Sequence, residues 1–146
     1  MSANIEVDDH EILAALTRIQ ERTDNLRPVL LEIGEVLTAS TKHRFATITA
    51  PDGEIWQTNS DVTLLHKANG RPLTGETGLL MSTIDYQASD HAVEIGSPME
   101  YAAMQQFGGT KAEFPHLWGD IPAREFLGLS EADKVEILYL AEDYLL

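Results

Sequence analysis

Residues 97–130 read SPMEYAAMQQFGGTKAEFPHLWGDIPAREFLGLS, and the expected fold is worked out from this stretch. Residues 99–107, MEYAAMQQF, have the spacing of a short amphipathic helix. Gly108 and Gly109 follow it, where a left-handed turn ends a helix. The aromatic loop EFPHLW leads into an extended segment, IPAREFLG, in which Pro122 keeps Ile121 out of the helical region. Tyr101, Met104 and Phe107 recur at i, i+3 and i+6 and are read as a core stripe. No nucleophile stands beside an activating base. Turns and apolar anchors build a shaped surface, so assembly rather than catalysis is expected.

Downstream, Ser130 opens the last helix, and Asp133 three residues later forms a capping box with Asp in place of Glu. Ile137, Leu138, Leu140, Ala141, Tyr144 and Leu145 cover more than half of its circumference, wider than the stripe a surface helix needs. Two arrangements account for this width. Either the helix is wedged between two layers, or part of it docks on a neighbouring subunit.

Upstream, residues 83–89 place Ile84, Tyr86 and Ala88 on one side, and 92–96 bring Val93 and Ile95 together. Ser-Asp-His at 89–91 is the hairpin turn between them. A lone hairpin is marginal, so a third strand is expected, either NIEV at 4–7 or IPAREFL at 121–127. Residues 60–68, SDVTLLHKA, read as a short helix capped by Ser60 or Asp61, followed by turn-rich NGRPLTGETG. Pro51-Asp52-Gly53 is a strong turn signal, and Trp56 just after it is a core anchor.

At the N-terminal side, Asp8 or Asp9 caps a helix carrying Ile12, Leu13, Leu16 and Ile19, which runs to about Arg22. Pro28 suits the first position of a second helix. Leu30, Ile33, Leu37 and Phe45 share a face of that helix, which reaches about Ala46. Gly34 inside it costs about 1 kcal/mol relative to Ala, which a close helix–helix approach would explain. The expected fold is α+β, in one domain over residues 1–146. An N-terminal helix pair and a C-terminal helix pack on a small, mainly antiparallel sheet.

Composition narrows the function. With 43% hydrophobic and 23% charged residues the chain can build a core. The 24 acidic and 10 basic residues give a formal net charge of −14, which argues against a surface that grips nucleic acid. The acidity serves solubility or lines a channel past which DNA slides. Without cysteine, disulfides and thiolate metal sites are excluded. No apolar run approaches the roughly 20 residues of a membrane span, and the acidic N-terminus has no secretion-signal pattern. His10, His43, His66, His91 and His116 lie far apart, and Asp8-Asp9-His10-Glu11 reads as a helix cap with solvated charges. Phosphate-binding glycine loops and the G-x-S-x-G elbow are absent. No pair of carboxylates is marked for glycoside hydrolysis. Neither enzymatic activity nor a cofactor is expected.

Four fragments occur in a telling order: FATITAPDGEIW (45–56), LTGETGLLMSTI (73–84), VEIGSPMEYAAMQQFGG (93–109) and IPAREFLGLSEADKVEIL (121–138). Together they resemble the phage virion morphogenesis family, which includes tail completion proteins of P2-like phages and a morphogenesis protein of Mu-like phages. The resemblance implies a non-catalytic structural protein of the virion tail or neck, assembled in the host cytoplasm. Such a protein caps the tail tube and prepares it for head joining, working as a ring, commonly a hexamer. Its implied partners are further copies of itself, the tail tube and the neck or head-completion proteins. The expected interface residues are Phe114 and Trp118 in the aromatic loop, Arg124 and Phe126 in the extended segment, and Tyr144 and Leu145 on the last helix. Arg124 is expected to pair with an acidic group, inside the fold or across a subunit boundary. Competing readings are a role in capsid morphogenesis, an acidic inhibitor that mimics DNA, and a small tail-borne hydrolase.

Overall fold

A computed structural model describes residues 9–23, 25–59, 72–73, 78–117 and 119–145. Helix α1 (His10–Thr23) begins where Asp9 Oδ1 accepts the backbone N–H groups of Glu11 and Ile12 at 3.0 and 3.1 Å, so Asp9 is its N-cap. Helix α2 (Arg27–Thr47) starts one residue before Pro28, which sits in the first turn where no N–H is needed. It is the central pillar, packing on the hairpin of β1 (Asp85–Ala88) and β2 (Val93–Gly96) and on the last helix, α5 (Glu131–Leu145). Two short helices, α3 (Leu79–Ser82) and α4 (Ala102–Phe107), flank the hairpin in sequence.

Helix α5 begins with a reciprocal box. Ser130 Oγ accepts the Asp133 N–H, and Asp133 Oδ2 accepts the Ser130 N–H, both at 3.0 Å. Near the starts of α1 and α5, Lys134 Nζ lies 3.2 Å from both Asp9 and Glu11. Near their ends, Arg22 donates to the Leu145 carbonyl at 3.0 Å, so α1 and α5 run parallel. The hairpin is antiparallel and pairs Tyr86 with Ile95 and Ala88 with Val93, the alternation expected of 83–96. Helices on a small antiparallel sheet make the fold α+β.

Gly34 has a different cause from the expected helix–helix approach. A Cβ there would lie 2.3 Å from Cδ2 of Tyr86, so the glycine lets α2 seat against the strand. The third strand also differs. Within 121–127 only Ile121 forms a bridge, with Gly109, and among the described residues the sheet has two strands. The backbone of 124–127 bonds to side chains instead, as detailed below. Residues 4–7 and the 60–68 helix lie outside the described residues.

Two clusters form the core. One gathers Ala15, Ile19, Leu26, Val29, Leu30, Ile33, Ile137 and Ala141 from α1, α2 with its cap residue Leu26, and α5. The other joins Phe45, Trp56, Leu80, Ile84, Ala102, Phe126 and Leu127. Phe45 is its hub, edge-on to Trp56 at 5.4 Å and tilted against Phe126 at 5.7 Å, geometries favoured by aromatic pairs. Trp56 is thus the core anchor that its place after the turn predicts. In that turn the Gly53 N–H bonds the Ala50 carbonyl at 3.0 Å, and the Trp56 N–H returns to the Ile48 carbonyl at 2.8 Å.

Candidate functional site

The stretch from α4 to the start of α5 contains little regular structure, so its backbone polar groups need other partners. Gln106, 1% exposed, supplies several. Its Oε1 accepts the N–H groups of Phe126 and Leu127, each at 3.0 Å, and its Nε2 donates to the Leu127 carbonyl at 3.1 Å. Trp56 Nε1 donates to the Glu125 carbonyl at 2.8 Å. The Arg124 N–H meets the Gln105 carbonyl at 2.8 Å. A short helix and an extended segment are thereby locked side by side.

Gly108 makes the approach possible. Its φ is +70°, and a Cβ there would meet the Ala123 nitrogen at 2.6 Å, so glycine is required on both counts. Gly109 differs from the expected left-handed pair, because its φ is not positive. Its role is close packing, with Phe114 ring atoms 2.9 Å from where a Cβ would stand.

A buried ion pair ties this stretch to the long helices. Arg44 Nη2 bonds Asp133 Oδ2, and Arg44 Nη1 donates to the Phe126 carbonyl at 2.7 Å. Ser40 Oγ donates to the other Asp133 oxygen. Burial pushes the Arg44 pKa down, while Asp133 opposes that shift. Asp133 therefore caps α5 and neutralises Arg44. Only the first role is visible in the sequence.

The expected interface residues separate into distinct environments. Phe126 is completely buried, which corrects its reading as an interface anchor: its ring fills the aromatic core. Arg124 is also buried, and its ion pair is replaced by backbone contacts. Nε donates to the Gln57 carbonyl at 2.8 Å and Nη2 to the Thr58 carbonyl at 3.0 Å, while burial lowers its pKa. Two backbone carbonyls thus take the guanidinium donors in place of a carboxylate. Phe114 is half-buried against Gly109 and edge-on to His116 at 6.2 Å. Tyr144 and Leu145 are half-buried beside the helical core cluster. Trp118 lies outside the described residues.

Of the core stripe expected on α4, Met104 is half-buried against Gly109, while the other two members turn outward. Tyr101 and Phe107 are exposed, at 42% and 59%, and Ala102 and Gln106 take the buried face. On α5, Ile137 and Ala141 are buried and Leu138 and Leu140 half-buried, so packing on α1 and α2 accounts for most of its apolar width. The exposed large apolar residues of α5 are Val135 and Tyr139, at 67% and 64%, one turn apart on its outer face. Sequence reading passed over both, although their i, i+4 spacing marks a shared surface. Ile55, 76% exposed at the hairpin-like loop, adds another.

The buried polar side chains among the described residues, Thr41, Arg44, Ser97, Gln106, Arg124 and Asp133, hold backbone, each other or a neighbouring hydroxyl, and the carboxylate that receives the Ser40 hydroxyl, Asp133, is already paired with Arg44. Among the described residues no group of three or more His, Asp or Glu is placed to hold a metal ion. No helix among them is long and apolar enough to cross a membrane.

Known proteins place this geometry in context. Residues 7–146 match the phage virion morphogenesis family. The G protein of Escherichia phage Mu, whose name refers to capsid assembly, is 34% identical over 144 residues, covering 94% of this chain and 90% of that protein. The Mu-like prophage FluMu G protein 2 of Haemophilus influenzae is 29% identical over 141 residues, covering 96% of this chain and 94% of that protein. No solved structure matches the chain. The match spans both the helical half and the locked stretch with its outward aromatic residues, and the chain belongs to the phage virion morphogenesis family.

Proposed function

We propose that this protein completes the phage tail, capping the tail tube as a ring and preparing it for joining to the head. The observation that carries this reading is the rigid presentation of apolar groups at the surface. On α4, Ala102 and Gln106 anchor the helix while Tyr101 and Phe107 on the same six-residue element and its cap stay in solvent. A surface held in advance loses little entropy on docking. Val135 and Tyr139 offer a second apolar surface on another helix. Two different surfaces suit the heterologous contacts that close a ring by rotation. Its partners are then copies of itself, the tail tube and neck proteins, and its place is the tail or neck of the virion.

A head-side role is the second reading, favoured by the capsid-assembly name of the phage Mu relative. Electron microscopy of lysates from the source phage with this gene deleted separates the two. Full heads beside unattached, irregular or overlong tails are expected. Defective heads would transfer the protein to capsid assembly, and intact virions would remove both roles.

A further inference from the structure

The outer edge of β2 opens beside an apolar groove. Ser89 donates its N–H to the Ala92 carbonyl at 2.8 Å, so the bonded pairs of the ladder continue at Gln87–Glu94 and Asp85–Gly96. The N–H and carbonyl groups of Val93 and Ile95 therefore point away from β1. Among the described residues no strand meets them, and no turn or loop backbone bonds them. The groove beside them encloses about 510 Å³, within the range of binding clefts. Ile12 and Leu16 of α1, Leu37 of α2, and Val93 and Ile95 line it, all of them half-buried. Its charged lining among the described residues is acidic, Asp9 and Glu94. Asp9 is shared with Lys134 at 3.2 Å, whereas Glu94 is exposed and has no ion pair among the described residues. An edge strand with such a groove takes an extended segment, whose backbone bonds the strand while alternate side chains fill the groove.

We propose that this edge docks an extended segment of a different protein, in which a Lys or Arg stands between two apolar residues. The register decides that pattern. Residues opposite Val93 and Ile95 share their face and enter the groove, and the residue opposite Glu94 lies on the outer face. A cation there completes a cross-strand pair with the Glu94 carboxylate. A second copy of this chain is the poorer occupant. Two β2 edges joined about a two-fold axis, with the outward groups of Val93 and Ile95 all bonded, set Glu94 opposite the same residue of the other copy. Cα atoms at such a position are about 4.5 Å apart. Like charges directly opposite are destabilising, and each chain already carries a formal net charge of −14. A basic segment meets neither obstacle. Tyr101, Phe107, Val135 and Tyr139 do not line this groove, so the inference stands whether the protein serves the tail or the head.

Three synthetic peptides test the pattern on the full chain. Lys-Val-Lys-Val-Lys-Val-Lys carries it, Lys-Lys-Val-Val-Val-Lys-Lys has the same composition without it, and Glu-Val-Glu-Val-Glu-Val-Glu reverses the charge. Amide hydrogen exchange is followed residue by residue with each peptide in excess. Only the alternating basic peptide is expected to slow exchange at Val93 and Ile95, on the order of tenfold or more at saturation. In Glu94→Lys, which leaves the ladder and the core in place, the preference should pass to the acidic peptide. An unchanged preference in that variant would overturn the proposal. Equal protection by the two basic peptides would reduce the binding to general charge attraction, and protection by none would leave the edge without a docking role, so either result overturns it. Protection already present in the free protein overturns it as well. If it grows with protein concentration the edge belongs to a second copy, and if it does not the chain itself fills the groove.

Discussion

The two core clusters are built by different physics. Between α1, α2 and α5, apolar side chains recur at helical spacing, and the helices satisfy their own backbone. Around Phe45, by contrast, the chain from Gly108 to Ser130 satisfies its backbone with borrowed side chains: Gln106, Trp56 and Arg44. Hydrophobic packing tolerates exchange of one apolar group for another of like size. A carbonyl held by a specific donor does not tolerate loss of that donor. The irregular half should therefore be the less forgiving one, even though both halves are equally well buried.

The hardest blow to this division falls where the halves meet. Asp133→Ala removes the partner of a buried cation and is expected to cost about 3–5 kcal/mol. Ser130→Ala removes only the cap hydroxyl and should cost about 1 kcal/mol. Both are read from denaturant unfolding. Equal losses would reduce Asp133 to a cap and cut the link between the clusters. Comparable in size is the direct contrast between them. Gln106→Met keeps the bulk but strands the Phe126 and Leu127 N–H groups and the Leu127 carbonyl, at about 1–3 kcal/mol for each group left without a partner. In the helical cluster, Leu30→Met should cost less than about 1.5 kcal/mol. If the two substitutions prove equal, the irregular half is held by packing after all.

How much of this was legible follows from the range over which each signal acts. The three long helices, the Asp9 and Ser130 caps, the Pro51-Asp52-Gly53 turn and the hairpin are local patterns, and a single chain displays them. Gly34 was visible as an anomaly, but its cause, the Tyr86 ring, lies 52 positions away. Arg44 and Asp133 are 89 positions apart, so no local rule pairs them. On α4 the error was of another kind. In six residues two opposite faces have almost equal claims, and the polar Gln106 took the inside because the Phe126 and Leu127 backbone needed it. For Arg124 charge alone points to a carboxylate partner, whereas its donors meet two carbonyls. For the assembly surface, composition gave no warning of Val135 and Tyr139, because exposure depends on which face α1 and α2 cover.

A smaller change tests whether the helical half has any site as exacting as those in the irregular half. Ala at position 34 would favour helix by about 1 kcal/mol in isolation, yet its Cβ would press on the Tyr86 ring. Gly34→Ala should therefore destabilise the protein, and in a Tyr86→Ala background it should become neutral or stabilising. A double-mutant cycle reads the coupling. Additive effects would mean that α2 shifts freely on the hairpin.

The smallest effect is expected at the α1–α5 surface, where the ions are at least partly exposed and salt screens them. The Ile12 backbone N–H, with Lys134 assisting, holds the Asp9 pKa below its ordinary value. Hydrogen bonds to Glu11 and Asp9 raise that of Lys134. A lowered carboxylate supports the fold at pH above about 3.9 and loses that support as pH falls through its shifted value. A raised ammonium supports it below about pH 10.4 and loses that support as pH rises through its own shifted value. Lys134→Met should leave stability near neutral pH almost unchanged while flattening the alkaline decline of the melting temperature. At the acid end Asp9 keeps the Ile12 N–H, so most of the decline there should survive the substitution. Loss of the acid decline in Lys134→Met would give the cation, not the helix cap, the main part in setting the Asp9 pKa, and the start of α1 would then depend on α5 rather than on its own sequence.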